Sequence, residues 1–361
     1  MIQNWDLYYS EESCKIMADN PELSIVLKSL RISSVGKRIM DMNILVSQVS
    51  YFASIGIIKL LRQLRRNDIH ILGTSYLPTG MSSGSILVEQ CFQSPMIASG
   101  GPYIDFMKTL CIQKHIDILF VSDDDELLLL KRSLRLNCTF VCADPETLCL
   151  FMDKKQASIA ISGLGIAIPP IIQDLCSERP ASGKVIFRKT HAKGSQGIYT
   201  VDLNAAQYIE NRFTPTNFIQ EFIEGNEYTV DIFCDRDGEL KLAIPRRRLD
   251  IRNGITYKCV IEYIPQIIDA CKVIYKRYQL PGFSNVQFIL RDNETFFVEL
   301  NPRFAGTGIA SSLASFNICA LYLSHFYEGE KLDTFQEYMK YVAWDSIITR
   351  YYEETIFQSA Q

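Results

Sequence analysis

The segment 284–301, SNVQFILRDNETFFVELN, constrains the fold more than any other part of the chain. Two runs of alternating apolar and polar residues flank a short polar turn. This is the pattern of an antiparallel hairpin whose side chains point to opposite faces in turn. Asn285, Gln287 and Ile289 share one face of the first strand; Phe297, Glu299 and Asn301 share one face of the second. Val286, Phe288 and Leu290, with Val298 and Leu300, supply the apolar opposite faces. Gln287 lies across from Glu299 only if the loop is odd, most simply Asp292-Asn293-Glu294 with Asn in the left-handed region. That register also sets Asn285 against Asn301. The product is a patch of oxygen donors, one carboxylate and several amide carbonyls, of the kind a hard divalent cation such as Mg²⁺ takes. Arg303 follows at once and suits an anionic ligand. Gly306 and Gly308 flank the start of the next helix, where they allow a backbone to approach a ligand closely. A solvated polar face is the competing reading, and the glycine-rich run LNPRFAGTGIASS argues against it.

Upstream the pattern differs. Residues 43–143 alternate apolar strands with helical stripes: strands 43–49, 69–74, 117–122 and 138–143, and helices over 54–66, near 102–114 and near 124–134. In the first helix Ile55, Ile58, Leu61 and Leu64 form one stripe. Such alternation predicts a parallel, doubly wound sheet. The first turn, Val49 to Gly56, lacks the G-x-G-x-x-G fingerprint, which disfavours a dinucleotide-dependent oxidoreductase. Asp144-Pro145 and Asp153-Lys154 open two further helices, and Pro169-Pro170 breaks the chain. From about 184 onward strands with glycine turns dominate, with helices near 262–278 and 308–328, which predicts an α+β, largely antiparallel second half. Residues 1–40 stand apart as short surface helices, either loosely docked or functional.

Composition narrows the function classes. The charge sum of 37 basic against 41 acidic residues, net −4, argues against a nucleic-acid partner. No apolar run approaches the roughly 20 residues of a membrane span, and the N-terminus lacks the apolar core of a secretory signal. The 11 scattered cysteines read as buried free thiols and agree with a cytoplasmic setting.

Three further constellations carry chemistry. RKTHAKGSQGIYT (188–200) places a cation ahead of a small glycine loop whose N–H groups can cradle phosphate, although a plain glycine hairpin fits equally. IQEFIEGNEYTVDIF (219–233) enters a strand in which Glu227, Thr229 and Asp231 share one face, either a ligand-facing wall or a surface acidic stripe. PRRRLDIRNGITYK (245–258) concentrates Arg246, Arg247, Arg248, Arg252 and Lys258, either an anion-focusing cluster or a solvated face.

Taken in this order, the pieces resemble the ATP-grasp superfamily, in particular the single-copy ligases of the carbamoyl-phosphate-synthetase large-subunit-like group. The resemblance runs from about 43 to 355. FSNVQFILRDNETFFVELNPRFAG is similar to that family's metal-binding hairpin and QEFIEGNEYTVD to its adenine hinge. It implies a Rossmann-like first domain over 41–144, a small lobe with a glycine lid over 145–220 and a large lobe over 221–361. By position, Glu299, Asn301 and Gln287 match the ligands of one or two Mg²⁺, with Mn²⁺ as a substitute. Arg303 matches the arginine on the transferred phosphate. Glu221, Phe222 and Ile223 fall at the adenine edge, and Glu227 at the ribose. Lys154 and Arg188 fall at the α- and β-phosphates. Here Arg188-Lys189 replaces the family's usual Lys-Pro, and strand alternation favours Arg188 as the one that faces phosphate. Gly194, Ser195, Gln196 and Gly197 match the lid. Arg246, Arg248 and Arg252 match the strand turned toward the acyl phosphate.

The resemblance implies an ATP-dependent carboxylate–amine ligase that acts through an acyl phosphate and releases ADP and phosphate. Its partners are then a small-molecule carboxylate and an amine, with homodimerisation left open. The alternative is a nucleotide-binding paralogue without ligation.

Overall fold

Short apolar runs in the first third of the chain pair side by side as parallel strands. The computed structural model describes residues 41–361 apart from 134–135, 176, 192–197, 210–215, 352 and 358–361. Both the expected helices of 1–40 and the glycine loop with Gly194, Ser195, Gln196 and Gly197 lie outside the described residues. Strands β1 (Met42–Val46), β2 (Ile69–Ser75), β3 (Gln90–Gln93) and β4 (Ile118–Phe120) form a sheet in the order β3-β2-β1-β4. Every pairing in it is parallel. Period-two alternation sorts its residues: Leu45, Leu72 and Leu119 pack with Tyr103 and Met107. Ile44, Val46, Ile71, Ile118 and Phe120 pack with helix α1 (Phe52–Gln63).

The stripe on α1 is wider than the expected one. Ile57 and Leu60 are buried beside Ile58 and Leu61, because the helix is covered by more than its own sheet. A Cβ on Gly56 would sit 3.1 Å from the Phe304 ring, so the helix meets a distant segment there at close range. Helices α2 (Gly101–Gln113) and α3 (Asp124–Ser133) follow the expected pattern. The run 138–143 does not form a strand. Only Thr139 bridges Ile118; the run is apolar because Cys142 and Ala143 are buried in the core, not because it pairs.

Helices α4 (Pro145–Met152) and α5 (Lys154–Ser162) start on Asp144 and Asp153, each of which accepts two backbone N–H bonds as an N-cap. An antiparallel sheet follows: β5 (Ile171–Ile172), β6 (Lys184–Lys189), β7 (Tyr199–Asp202) and β8 (Asn217–Glu221), ordered β5-β8-β6-β7. Helix α6 (Leu203–Ile209) lies between β7 and β8 in the chain.

The largest sheet has six antiparallel strands, β9 (Asn226–Cys234), β10 (Leu240–Arg252), β11 (Ile255–Ile261), β12 (Gly282–Arg291), β13 (Glu294–Asn301) and β14 (Ile347–Thr349). Their order is β13-β12-β9-β10-β11-β14. Helix α7 (Pro265–Tyr278) begins at its proline, three residues after the expected start. The expected helix 308–328 is interrupted. It divides into α8 (Ile309–Leu313) and α9 (Ile318–Tyr322), because Asn317 caps a new start by accepting from Cys319 and Ala320. A π-turn, Leu323–Tyr327, ends it, and α10 (Phe335–Met339) follows.

The hairpin β12–β13 has the expected register at its base, with Gln287 opposite Glu299 and Asn285 opposite Asn301. Its route there differs. The turn has two residues, Asp292 and Asn293, both at positive φ, the geometry of a type I′ turn. A bulge at Val298 supplies the missing residue of offset, since Phe288 pairs with Phe297 and Gln287 with Glu299. Phe297 therefore turns to the buried face, away from Glu299.

Candidate active site

A cavity of about 670 Å³ is lined by both antiparallel sheets and by the start of α3. Glu299 sits in its wall and is held from two directions. Lys154, the first residue of α5, brings Nζ to 2.7 Å from Glu299 Oε2. Its backbone N–H donates to the Thr190 carbonyl at 2.9 Å, which ties the helix start to the segment that follows β6. Arg188, on β6, brings Nη2 to 3.4 Å from the same oxygen. Its Nη1 donates to Gln220 Oε1 at 3.0 Å and to the Val298 carbonyl at 3.3 Å, so the bulge presents a backbone acceptor to the guanidinium. Burial opposes the charge on Glu299, but Lys154 and then Arg188 outweigh it and hold the carboxyl down at about 2. Burial pulls Arg188 down from its ordinary value, and the Glu299 charge only partly offsets this.

Two features mark this node as incomplete. Arg188 is 5% exposed, yet its Nε has no hydrogen-bond partner among the described residues. A buried guanidinium N–H without an acceptor is costly. The second feature is Asn301, whose amide nitrogen donates to Asn285 Oδ1 at 3.2 Å and to Glu299 Oε1 at 3.3 Å. Its own Oδ1 makes no hydrogen bond among the described residues and is available as an oxygen ligand. Gln287 lines the same wall. No cluster of three or more His, Cys, Asp or Glu side chains that could hold a metal occurs among the described residues. The donor set is therefore one carboxylate and neutral amides, which fits Mg²⁺ only if ligand oxygens complete its shell.

The remaining positions divide. Glu221, Phe222 and Ile223 line the cavity where β8 leaves the four-stranded sheet. The Glu221 carboxylate accepts the Ser182 N–H at 3.1 Å and is thereby turned to the protein. Glu227 also lines the cavity, with its carboxylate 3.0 Å from Arg248. Arg248 donates further to Thr256 at 2.9 Å and to the Gly254 carbonyl at 2.8 Å, so its guanidinium is fixed against the wall.

Arg246 and Arg252 are not brought to the cavity. Arg246 is 0% exposed and bidentate to Asp231, at 2.6 and 3.0 Å, behind Thr307 and α8. Arg252 is 55% exposed and lies beside Asp250, over the Tyr257 ring. Register shifts between Arg248 and Ile251 break the alternation, so that Ile251 rather than Arg252 follows Arg248 along the cavity.

Arg303 lines the cavity, its Nε 3.0 Å from Asp124 Oδ1. Burial disfavours its charge, but Asp124 outweighs this and raises the guanidinium above its ordinary value. Phe304 fixes the segment: Cβ atoms built on Gly56 and Gly308 would fall 3.1 and 2.9 Å from its ring.

Asp124 and Asp125 are lining residues the sequence reading missed. The run Asp123-Asp124-Asp125-Glu126 reads as an acidic helix start, and part of it is that. Asp123 caps α3 by accepting from Asp125 and Glu126, while Glu126 is buried with Ser47 and Tyr103. The only available signal was that the run follows a parallel strand, where α/β sheets bind ligands.

Residues 213–346 match the family described as "ATP-grasp in the biosynthetic pathway with Ter operon". No curated protein matches the chain. Among solved structures the chain resembles an L-amino acid ligase from Bacillus licheniformis, with TM-score 0.58, 13% identity and coverage of 81% of this chain and 77% of that one. It also resembles the biotin carboxylase domain of 2-oxoglutarate carboxylase from Hydrogenobacter thermophilus, solved with MgADP and bicarbonate, with TM-score 0.64 and 13% identity over 85% and 73% of the two chains. N5-carboxyaminoimidazole synthetase from Staphylococcus aureus gives TM-score 0.60 and 10% identity over 81% and 79%. The family match thus covers 213–346, and the solved structures share the fold of the chain.

Proposed function

We propose that this protein is an ATP-dependent carboxylate–amine ligase that works through an acyl phosphate. The observation that carries the reading is the incomplete node at Glu299: a carboxylate between two cations, and beside it an amide oxygen and a buried arginine Nε that have no hydrogen-bond partner among the described residues. A polyphosphate with its metal would meet this carboxylate, the amide oxygen and the two cations in one cavity. On this reading residues 41–144 form the first domain, 145–220 the small lobe and 221–361 the large lobe, as in the carbamoyl-phosphate-synthetase-like ligases. The L-amino acid ligase among the structural relatives favours an amino acid as the amine, and the dimeric carboxylase domain makes homodimerisation worth testing. A cytoplasmic setting is proposed with it.

Each residue then has a task. Glu221, Phe222 and Ile223 border the base and Glu227 the ribose. Lys154 and Arg188 hold the α- and β-phosphates. Glu299, Asn301 and Gln287 hold Mg²⁺, or Mn²⁺ in its place. The metal supplies charge neutralisation at the phosphoryl oxygens. Arg303, fixed by Asp124 and the Phe304 wedge, faces the transferring phosphoryl group, and Arg248 closes the wall opposite. The substrate carboxylate attacks the γ-phosphorus; ADP leaves, and the amine then displaces phosphate from the acyl carbon. No protein nucleophile is needed, because positioning and fixed charge lower the barrier.

The test is ADP release measured against a panel of small carboxylates and amines supplied in pairs. Release that requires both partners supports ligation. ATP turnover indifferent to every carboxylate excludes it, and wild-type behaviour of Glu299→Ala would favour nucleotide binding without catalysis.

A further inference from the structure

Pro169 and Gln220 form a relay to Arg188, and neither of the two has a task above. Gln220, on β8, is 1% exposed, and both ends of its amide have partners inside the protein. Its Nε2 donates to the Pro169 carbonyl at 3.1 Å, and its Oε1 accepts from Arg188 Nη1 at 3.0 Å. Residue 220 pairs with Ile186, and Phe218 with Arg188, so Gln220 and Arg188 are diagonal neighbours on one face of the sheet. Pro169 is itself held in place, since the next residue, Pro170, accepts the Glu221 N–H at 2.8 Å. The amide cannot reverse: turned over, it would set its NH₂ against the guanidinium and its oxygen against the Pro169 carbonyl. Its orientation is thus dictated by a fixed carbonyl on one side.

We infer that Gln220 is a positioning residue for the phosphate-binding arginine: it locks Nη1 of Arg188 and so sets the plane of a guanidinium that lines the cavity. The planar fork makes this necessary. Its five donors are rigidly related, so fixing Nη1 on Gln220 and the Val298 carbonyl, and Nη2 on Glu299, determines where Nε points. Nε is the one guanidinium nitrogen of Arg188 without a partner among the described residues. A lysine would need no such lock, because an ammonium is a point charge with freely rotating donors. The inference rests on the reading that Arg188 meets the nucleotide's phosphates.

The test uses the full-length protein with MgADP and adenosine as probes, by titration calorimetry or nucleotide-competition fluorescence. Gln220→Leu is expected to weaken MgADP binding about tenfold, the loss that follows when one positioned bond to a buried charge is removed. Adenosine, which lacks phosphates, should bind within about twofold of wild type. The deciding measurement is a double-mutant cycle. In an Arg188→Met background, Gln220→Leu should change MgADP affinity by less than about twofold, because Gln220 has no guanidinium left to orient. If Gln220→Leu does not fold, the isosteric Gln220→Glu goes through the same cycle. It loses the donor to Pro169 and partly neutralises Arg188, and the same pattern is expected. Unchanged MgADP affinity in the single variant overturns the inference. So does an equal loss in both backgrounds, or an equal loss for adenosine, each of which marks Gln220 as merely structural. A wild-type protein that binds neither probe overturns the nucleotide reading itself, a result separate from these.

Discussion

Two buried acid–arginine nodes share the six-stranded sheet, and they differ in whether their hydrogen bonding is finished. Asp231 on β9 takes both Nε and Nη2 of Arg246 and also accepts the Ser311 hydroxyl; all its partners belong to the large sheet and α8. Glu299 on β13 takes cations from α5 and from the other antiparallel sheet, remains 18% exposed, and borders an arginine Nε with no acceptor among the described residues. The first node is a tie, the second a socket. Charge content does not separate them. What separates them is whether each guanidinium nitrogen has a partner among the described residues.

Four measurements can break or sharpen this contrast. The largest effect is expected for Glu299→Gln: ATP turnover falls by about a hundredfold or more, as when a preorganised electrostatic group is lost. Circular dichroism should show the fold retained. Retained turnover would place the chemistry elsewhere. Next is Asp231→Asn, which leaves Arg246 buried without its counter-charge. Denaturant titration should show a loss of about 3–5 kcal/mol, with MgADP affinity within about twofold in the protein that remains folded. A variant of ordinary stability with poor nucleotide binding would reverse the two roles.

The third is a pH effect in metal-free protein. Glu299 is held at about 2, below its ordinary 4.5, so its charged form contributes stability that is fully present above about 4.5 and is lost as pH falls through about 2. Urea midpoints should therefore fall on acidification more steeply for wild type than for Glu299→Gln; identical slopes would mean the two cations do not hold the carboxylate. The smallest effect is expected for Arg252→Ala. An exposed pair with Asp250 is worth about 0–1 kcal/mol, and turnover should stay within about twofold. A large loss of turnover would return Arg252 to the site.

The arginines show where sequence reading stops. Arg246 and Arg248 share a strand face, yet one is a tie and the other lines the cavity, because α8 and Thr307 cover only the first. Arg252 should follow on that face by period two, and register shifts after Arg248 divert it. The hairpin was read correctly at its base for a related reason. An odd loop and a two-residue turn plus a bulge produce the same register, so Gln287 still meets Glu299 while Phe297 changes face. Asp124 was illegible because an acidic residue at a helix start already has a local explanation, and only the approach of Arg303 gives it another.

By itself the sequence determined which segments alternate, which turns are tight, and that carboxylate and amides stand together at the hairpin base, because these follow from periodicity and local backbone preference. Tertiary structure decided which arginine is buried, which acid pairs with it, and which donor is left without an acceptor. Those outcomes depend on contacts between segments far apart in the chain, as between Arg188 and Glu299 or Asp124 and Arg303, and on bulges whose position neither local propensity nor hydrophobic pattern specifies.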